Sequence, residues 1–207
     1  MRKAIILPLL LALMVMKSGA QTFSIDTISD AVFKRMLGKS YPTGDCRVKR
    51  SDLRYLTISH IDRKGREHVG ELVCNKRIAS DLIDIFRQLY EARYPIERME
   101  LIDNYDADDE RSMTANNTSC FCYRTVSNTK VLSKHAQGLA VDINPCYNPY
   151  VKGDVVQPKG SRAYTKRSRR FPYKIRRDDL LCRLFREHGF QWGGDWHSLK
   201  DYQHFEK

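Results

Sequence analysis

Residues 77–94 leave this chain little freedom. Ile78, Leu82, Ile85, Phe86 and Leu89 fall on one face of a 3.6-residue repeat, and Pro95 then forbids continuation. A one-sided apolar helix needs an equally apolar surface to cover it. The residues just before it supply one: 53–61 are rich in β-branched and aromatic side chains, and 68–74 read the same way. Asp62-Arg63-Lys64-Gly65 between them is turn material, so the pair reads as a hairpin. The expected fold class is α+β, helices packed on a small, mainly antiparallel sheet.

The remaining segments fit that plan. Ile28, Val32 and Met36 recur at helical spacing, and Gly38 can stop that helix. Segment 103–117 is acidic and polar, and reads as an ordered loop or long surface connection. Short strands are expected at 121–125 and 139–143, with turns at Asn144-Pro145 and Asn148-Pro149. Asp178 is placed to cap a last helix carrying Leu181, Leu184 and Phe185, closed by Gly189. An aromatic-rich tail follows. The 207 residues suit one domain, and no solenoid or propeller period is seen.

Residues 1–20 read as a secretory signal peptide rather than as fold. Arg2 and Lys3 precede an apolar run at 4–16, and Ser18-Gly19-Ala20 offers small residues for cleavage before Gln21. That run is too short for a comfortable membrane span, so no stable insertion is expected after cleavage, and residues 21–207 form one exported domain. The formal charge of +11 falls to +8 without the leader's Arg2, Lys3 and Lys17. A basic exported protein favours anionic polymers and surfaces, and nucleic acid is not expected as a partner. Cys46, Cys74, Cys120, Cys122, Cys146 and Cys182 read as buried thiols or disulfides, in a connectivity that spacing does not choose. A single residue between Cys120 and Cys122 fits structural zinc poorly.

Two segments concentrate chemistry: Ser133-Lys-His135-Ala-Gln-Gly138-Leu-Ala140-Val-Asp142 and Asp201-Tyr-Gln-His204-Phe205-Glu206. A catalytic Zn2+ wants three His or carboxylate ligands and one open position, which His135, Asp142 and His204 would satisfy. Asp201, three residues before His204, is spaced to act as general base on a water at that metal. Taken singly, each of these residues has an ordinary structural reading as a bonded histidine, a turn residue or a solvated carboxylate. The joint pattern gives them weight.

That pattern, with Tyr94-Pro95-Ile96, Asn116-Asn117-Thr118-Ser119, Tyr123-Arg124, Asp142-Ile-Asn-Pro145, Asn148-Pro-Tyr150 and Trp192-Gly-Gly194, resembles the D-alanyl-D-alanine carboxypeptidase family of zinc peptidases. That family includes vancomycin-resistance carboxypeptidases and L-alanyl-D-glutamate endopeptidases. The likeness runs from about Leu53 to the end. It implies a bacterial, periplasmic or wall-associated zinc peptidase acting on peptidoglycan stem peptides, with the metal in a cleft over the sheet. It implies His135, Asp142 and His204 as ligands, Asp201 as catalytic carboxylate, and Arg124 as anchor for a substrate carboxylate or carbonyl. Ser133 and Asn117 would contact substrate. The string sits nearer the carboxypeptidase branch; the endopeptidase activity and a non-catalytic wall-binding module are the alternatives. The chain departs from the family where Cys122 replaces an asparagine between Phe121 and Tyr123.

Other features stay outside this reading. Residues 159–177 hold nine basic residues interleaved with Tyr164, Phe171 and Tyr173, readable as a solvated insertion or as a contact for anionic polymer. His188 and His197 read as surface histidines. His60 and His68 flank the hairpin without an evident partner.

Overall fold

The computed structural model describes residues 21–126 and 129–207, so the expected leader lies outside the described residues. Strand β1 (Phe23–Thr27) is followed by α1 (Asp30–Met36), whose Ser29 Oγ caps by accepting from Val32 N. The expected hairpin is present as β2 (Leu53–Ile61) and β3 (Glu67–Asn75), antiparallel and paired residue for residue from Leu53–Asn75 to Ile61–Glu67. Asp62 shapes its turn, accepting the backbone N–H of Lys64 (2.8 Å) and Arg66 (3.0 Å). β1 adds to the other edge of β2.

Helix α2 (Ala79–Glu91) lies on this sheet. Its buried face holds Leu82, Ile85, Phe86 and Leu89, as the repeat predicts, each worth roughly 1.5–3 kcal/mol when fully buried. The helix ends before Pro95, because Arg93 turns left-handed (φ 54°). The same core takes in Phe185 of α4 (Leu180–Glu187) and Phe205 near the C-terminus, whose ring centroids lie 4.3 Å apart. A smaller core under α1 joins Ile28, Met36, Leu53, Val73 and Phe121.

Beyond α2 the elements are short. β4 (Arg98–Met99) pairs in parallel with β5 (Asn117–Thr118), and α3 (Asp109–Thr114) lies between them in sequence. β6 (Ala140–Asp142), β7 (Tyr150–Lys152), β8 (Val155–Gln157), β9 (Gln191–Trp192), β10 (Lys200–Asp201) and β11 (His204–Glu206) build two further antiparallel sheets. Their orders are β10-β7-β8 and β6-β11-β9. The fold is therefore α+β with mainly antiparallel pairing, spread over several small sheets rather than one.

Three expectations need correction. Segment 103–117 is not a surface connection: it holds α3, and Asp103, Ser112, Asn116 and Asn117 are buried. Segment 121–125 is not a strand, because its N–H groups go to different places. Phe121 N donates to Val73 O, Cys122 N to His135 O and Tyr123 N to Ser40 O. The cap of α4 is Asp179, whose Oδ1 accepts Cys182 N at 3.0 Å, rather than Asp178. All six cysteines are free thiols, and among the described residues no helix is long and apolar enough to cross a membrane.

Candidate metal centre

β6 and β11 are neighbours in register, which sets Asp142 opposite His204. His135 reaches the same point from a single 3-10 turn, His135–Gln137. Ser133 Oγ accepts Ala136 N at 3.0 Å at the start of that turn, and Gly138 ends it at φ 67°. A Cβ on Gly138 would meet Asn75 N at 2.7 Å, so only glycine lets the turn sit against the end of β3.

His135, Asp142 and His204 are 5%, 8% and 7% exposed, and their donor atoms lie within 4.8 Å of one another. His135 Nε2 is 3.3 Å from Asp142 Oδ2, His204 Nδ1 is 3.0 Å from Asp142 Oδ1, and the two nitrogens are 3.2 Å apart. A tetrahedral zinc with bonds of about 2.05 Å separates its ligands by about 3.3 Å. The outer nitrogens are already engaged. His135 Nδ1 donates to Cys120 O (2.7 Å), and His204 Nε2 faces Glu206 Oε2 (3.0 Å). With those protons turned outward, two lone pairs and a carboxylate converge on one point, which only a cation can occupy comfortably. The donor set fits Zn2+, with an outer carbonyl and carboxylate fixing the rings as metal-bound histidines require.

Burial alone would raise the Asp142 carboxyl, but the facing imidazoles, His135 first, hold it well below the usual carboxylate range. Burial works against His204 as a cation, yet Asp142 and Glu206 push its pKa up to about 10.

Asp201 ends β10, three residues before His204. Gly193 lies against both: a Cβ there would stand 2.9 Å from Asp201 Cβ and 3.3 Å from His204 Cβ. Burial pushes the Asp201 carboxyl up to about 6, and its Oδ1 has no hydrogen-bond partner among the described residues. An unpartnered buried carboxylate oxygen beside two imidazoles is a group placed to accept a proton.

Arg124 Nε lies 2.6 Å from Asp109 Oδ2, an ion pair that joins the 121–125 segment to α3. Burial raises the Asp109 carboxyl against the pull of Arg124, and both His135 and Asp142 act on it electrostatically. Asn117, expected to contact substrate, is fully enclosed. Its amide donates to Glu100 O (3.0 Å) and Ser112 Oγ (3.1 Å) and accepts Glu100 N (2.8 Å), so it ties β5 to its surroundings. Asp109, Glu206 and the Cys120 carbonyl were not foreseen. Asp109 sits in a segment without apolar periodicity, Glu206 stood two residues after His204 in the motif, and a backbone carbonyl leaves no sequence signal.

His188 is engaged by Leu184 O and Asp84, and His197 is exposed. His60 Nδ1 meets Ile96 O (2.9 Å), and its ring stacks on His68, which reaches Asp62.

No curated protein and no solved structure matches the chain. A family model does, over residues 127–207, and its description is D-alanyl-D-alanine carboxypeptidase. Arg124 and the earlier cues, from Tyr94 to Tyr123, lie before that stretch, while His135, Asp142, Asp201 and His204 all lie within it. Over that C-terminal part, the chain is similar to the D-alanyl-D-alanine carboxypeptidase family.

Proposed function

We propose that the chain is an exported zinc metallopeptidase that hydrolyses peptidoglycan stem peptides, acting as a D-alanyl-D-alanine carboxypeptidase. The observation that carries the reading is the convergence of His135 Nε2, an Asp142 oxygen and His204 Nδ1, with the outer nitrogens of both rings occupied. Bound there, Zn2+ supplies a Lewis acid that polarises a carbonyl and makes water acidic near neutral pH. Asp201 takes a proton from the attacking water at its unpartnered Oδ1 and returns it to the leaving amine. Arg124, ion-paired with Asp109, is the residue that would anchor a substrate carboxylate. Cys120 O and Glu206 hold the two imidazoles in the tautomers that face the centre. Export rests on the leader-like residues 1–20.

The test is mass spectrometry of pentapeptide stem fragments incubated with zinc-loaded protein, with and without chelator. Chelator-sensitive loss of the terminal alanine is expected. Cleavage next to L-alanine would instead make this an endopeptidase, and no chelator-sensitive product would overturn the peptidase reading. Asp201→Asn should still bind zinc but lose hydrolysis; retained activity in that variant would remove the role given to Asp201.

A further inference from the structure

Residues 159–177 carry nine basic and no acidic side chains, and the proposed chemistry uses none of them. The segment is not a loose solvated loop. Its Arg167 is half-buried, donating to Tyr147 O (3.0 Å), Asn148 Oδ1 (3.0 Å) and Ile175 O (2.7 Å). The same guanidinium lies over the rings of Phe171 (5.0 Å) and Tyr202 (4.3 Å). Burial lowers its pKa to about 10, and no carboxylate pairs with it among the described residues. Arg167 thus pins the segment beside Tyr202, the residue after Asp201.

Around this pin the other cations divide into engaged and exposed ones. Arg177 pairs with Asp195 (2.9 Å) and Arg176 more loosely with exposed Asp178 (3.4 Å). Lys166, Arg169 and Arg170 are exposed and have no carboxylate partner among the described residues. Arg170, Lys174 and Arg176 line a surface cavity with Tyr94, Phe171 and Tyr173, and Lys174 is held there because its Nζ donates to Arg167 O and to Arg169 O (3.0 Å). Asp179, the one carboxylate on its wall, is already used, accepting Arg176 N, Cys182 N and the Tyr94 hydroxyl.

The rings of this cavity are not free platforms. Phe171 has Arg167 and Lys174 over its ring and Tyr164 tilted against it at 5.1 Å. Tyr173 is buried, packs on Tyr147 at 5.1 Å, and accepts Arg63 N through its hydroxyl. Binding of single-stranded nucleic acid relies on exposed ring faces for base stacking, and these are occupied. What remains is charge. Three cations around one cavity also exceed what the two oxygens of a single carboxylate satisfy, whereas a phosphate offers more acceptors.

We propose that Arg170, Lys174 and Arg176 form a binding groove for a linear, base-free polymer of phosphodiesters joined by polyols. The groove holds the protein on such a polymer by electrostatic attraction, independently of hydrolysis.

The probe is poly(glycerol phosphate), with affinity measured against salt for Asp201→Asn protein, so that failure of the peptidase reading leaves this result unaffected. Arg170→Gln with Arg176→Gln should weaken binding roughly tenfold and reduce the slope of log K against log salt by about 1.4. Lys34→Gln with Arg77→Gln, which removes two exposed charges elsewhere, should leave affinity nearly unchanged. Matched thermal melts show that each variant is folded. Polygalacturonate, oligothymidylate of equal charge, and phosphatidylglycerol vesicles should all bind more weakly than, or no better than, the probe. Unchanged affinity in the Arg170/Arg176 variant, equal loss in the Lys34/Arg77 variant, or tighter binding to any of those three competitors would overturn the proposal.

Discussion

Loading the centre with Zn2+ should expel a proton, and the structure sets the size of the effect. In the metal-free protein His204 is held as a cation by Asp142 and Glu206, with its pKa pushed up to about 10 despite burial. A folded pKa above the working pH means the ring is protonated at pH 7. The metal needs the Nδ1 lone pair, so about one proton leaves for each ion bound. Between pH 7 and a pKa of about 10 the proton wins by about three decades, or about 4 kcal/mol of zinc affinity forgone at neutral pH. Apparent affinity should therefore rise about tenfold per pH unit from pH 6 to 8. The assay is titration calorimetry in buffers of different ionisation enthalpy, with competition against a chromophoric chelator at each pH. Glu206→Gln keeps an acceptor for Nε2 but removes the charge, so the pH slope should flatten at a lower pH than in the parent. Binding without proton release and with no pH slope would show that His204 Nδ1 is not a ligand.

Two further outcomes follow from the packing. Gly193→Ala places a Cβ 2.6 Å from Asp201 O, which forces a backbone shift. It should cost about 1–3 kcal/mol in denaturant unfolding and lower peptide hydrolysis, and a variant unchanged in both would refute the tight fit. His60 is enclosed between Ile96 O and His68, near Asp62, and burial brings its pKa down to about 4. Because the folded value is depressed below the unfolded one, its contribution is complete above pH 6.5 and lost as pH falls towards 4. The loss is roughly 2–3 kcal/mol, and His60→Gln should flatten this part of the stability curve.

What could be read from the sequence was whatever rests on period or residue type. The apolar stripe of α2 and the hairpin β2–β3 are local patterns, and both formed as expected. His135, Asp142 and His204 stood out because ligand chemistry restricts residue type; β6–β11 pairing sets Asp142 opposite His204, and the turn at 135–137 brings His135 to them. Helix α3 was hidden because the one residue it buries is polar, Ser112, and it has no apolar stripe. β1 was missed because it is a short edge strand, three of whose five residues face solvent. The expected strand at 121–125 failed because Val73, Ser40 and His135 compete for its backbone, which no local pattern reports.

The stretch that the family model matches holds His135, Asp142 and His204, but much of their geometry is set from outside it. The acceptor of His135 Nδ1 is Cys120 O, and the edge of β6 is closed by Ser119, whose N–H and carbonyl exchange bonds with Asp142 at 3.1 and 2.9 Å. The turn after His135 is held by β3, with Asn75 N donating to Gly138 O (2.8 Å) and Asn75 Nδ2 to Gln137 O (3.0 Å). Phe205 and Phe185 lose most of their apolar cover without Phe86 and the rest of the core. Residues 129–207 alone should therefore fail to fold cooperatively, and should bind Zn2+ at least tenfold more weakly than the chain from 21, since outer contacts of this kind each govern about one to two decades of affinity. Circular dichroism and chelator competition on the two proteins decide it. A fragment that melts cooperatively and binds zinc as tightly as the longer chain would mean that β6, β9 and β11 organise the centre by themselves.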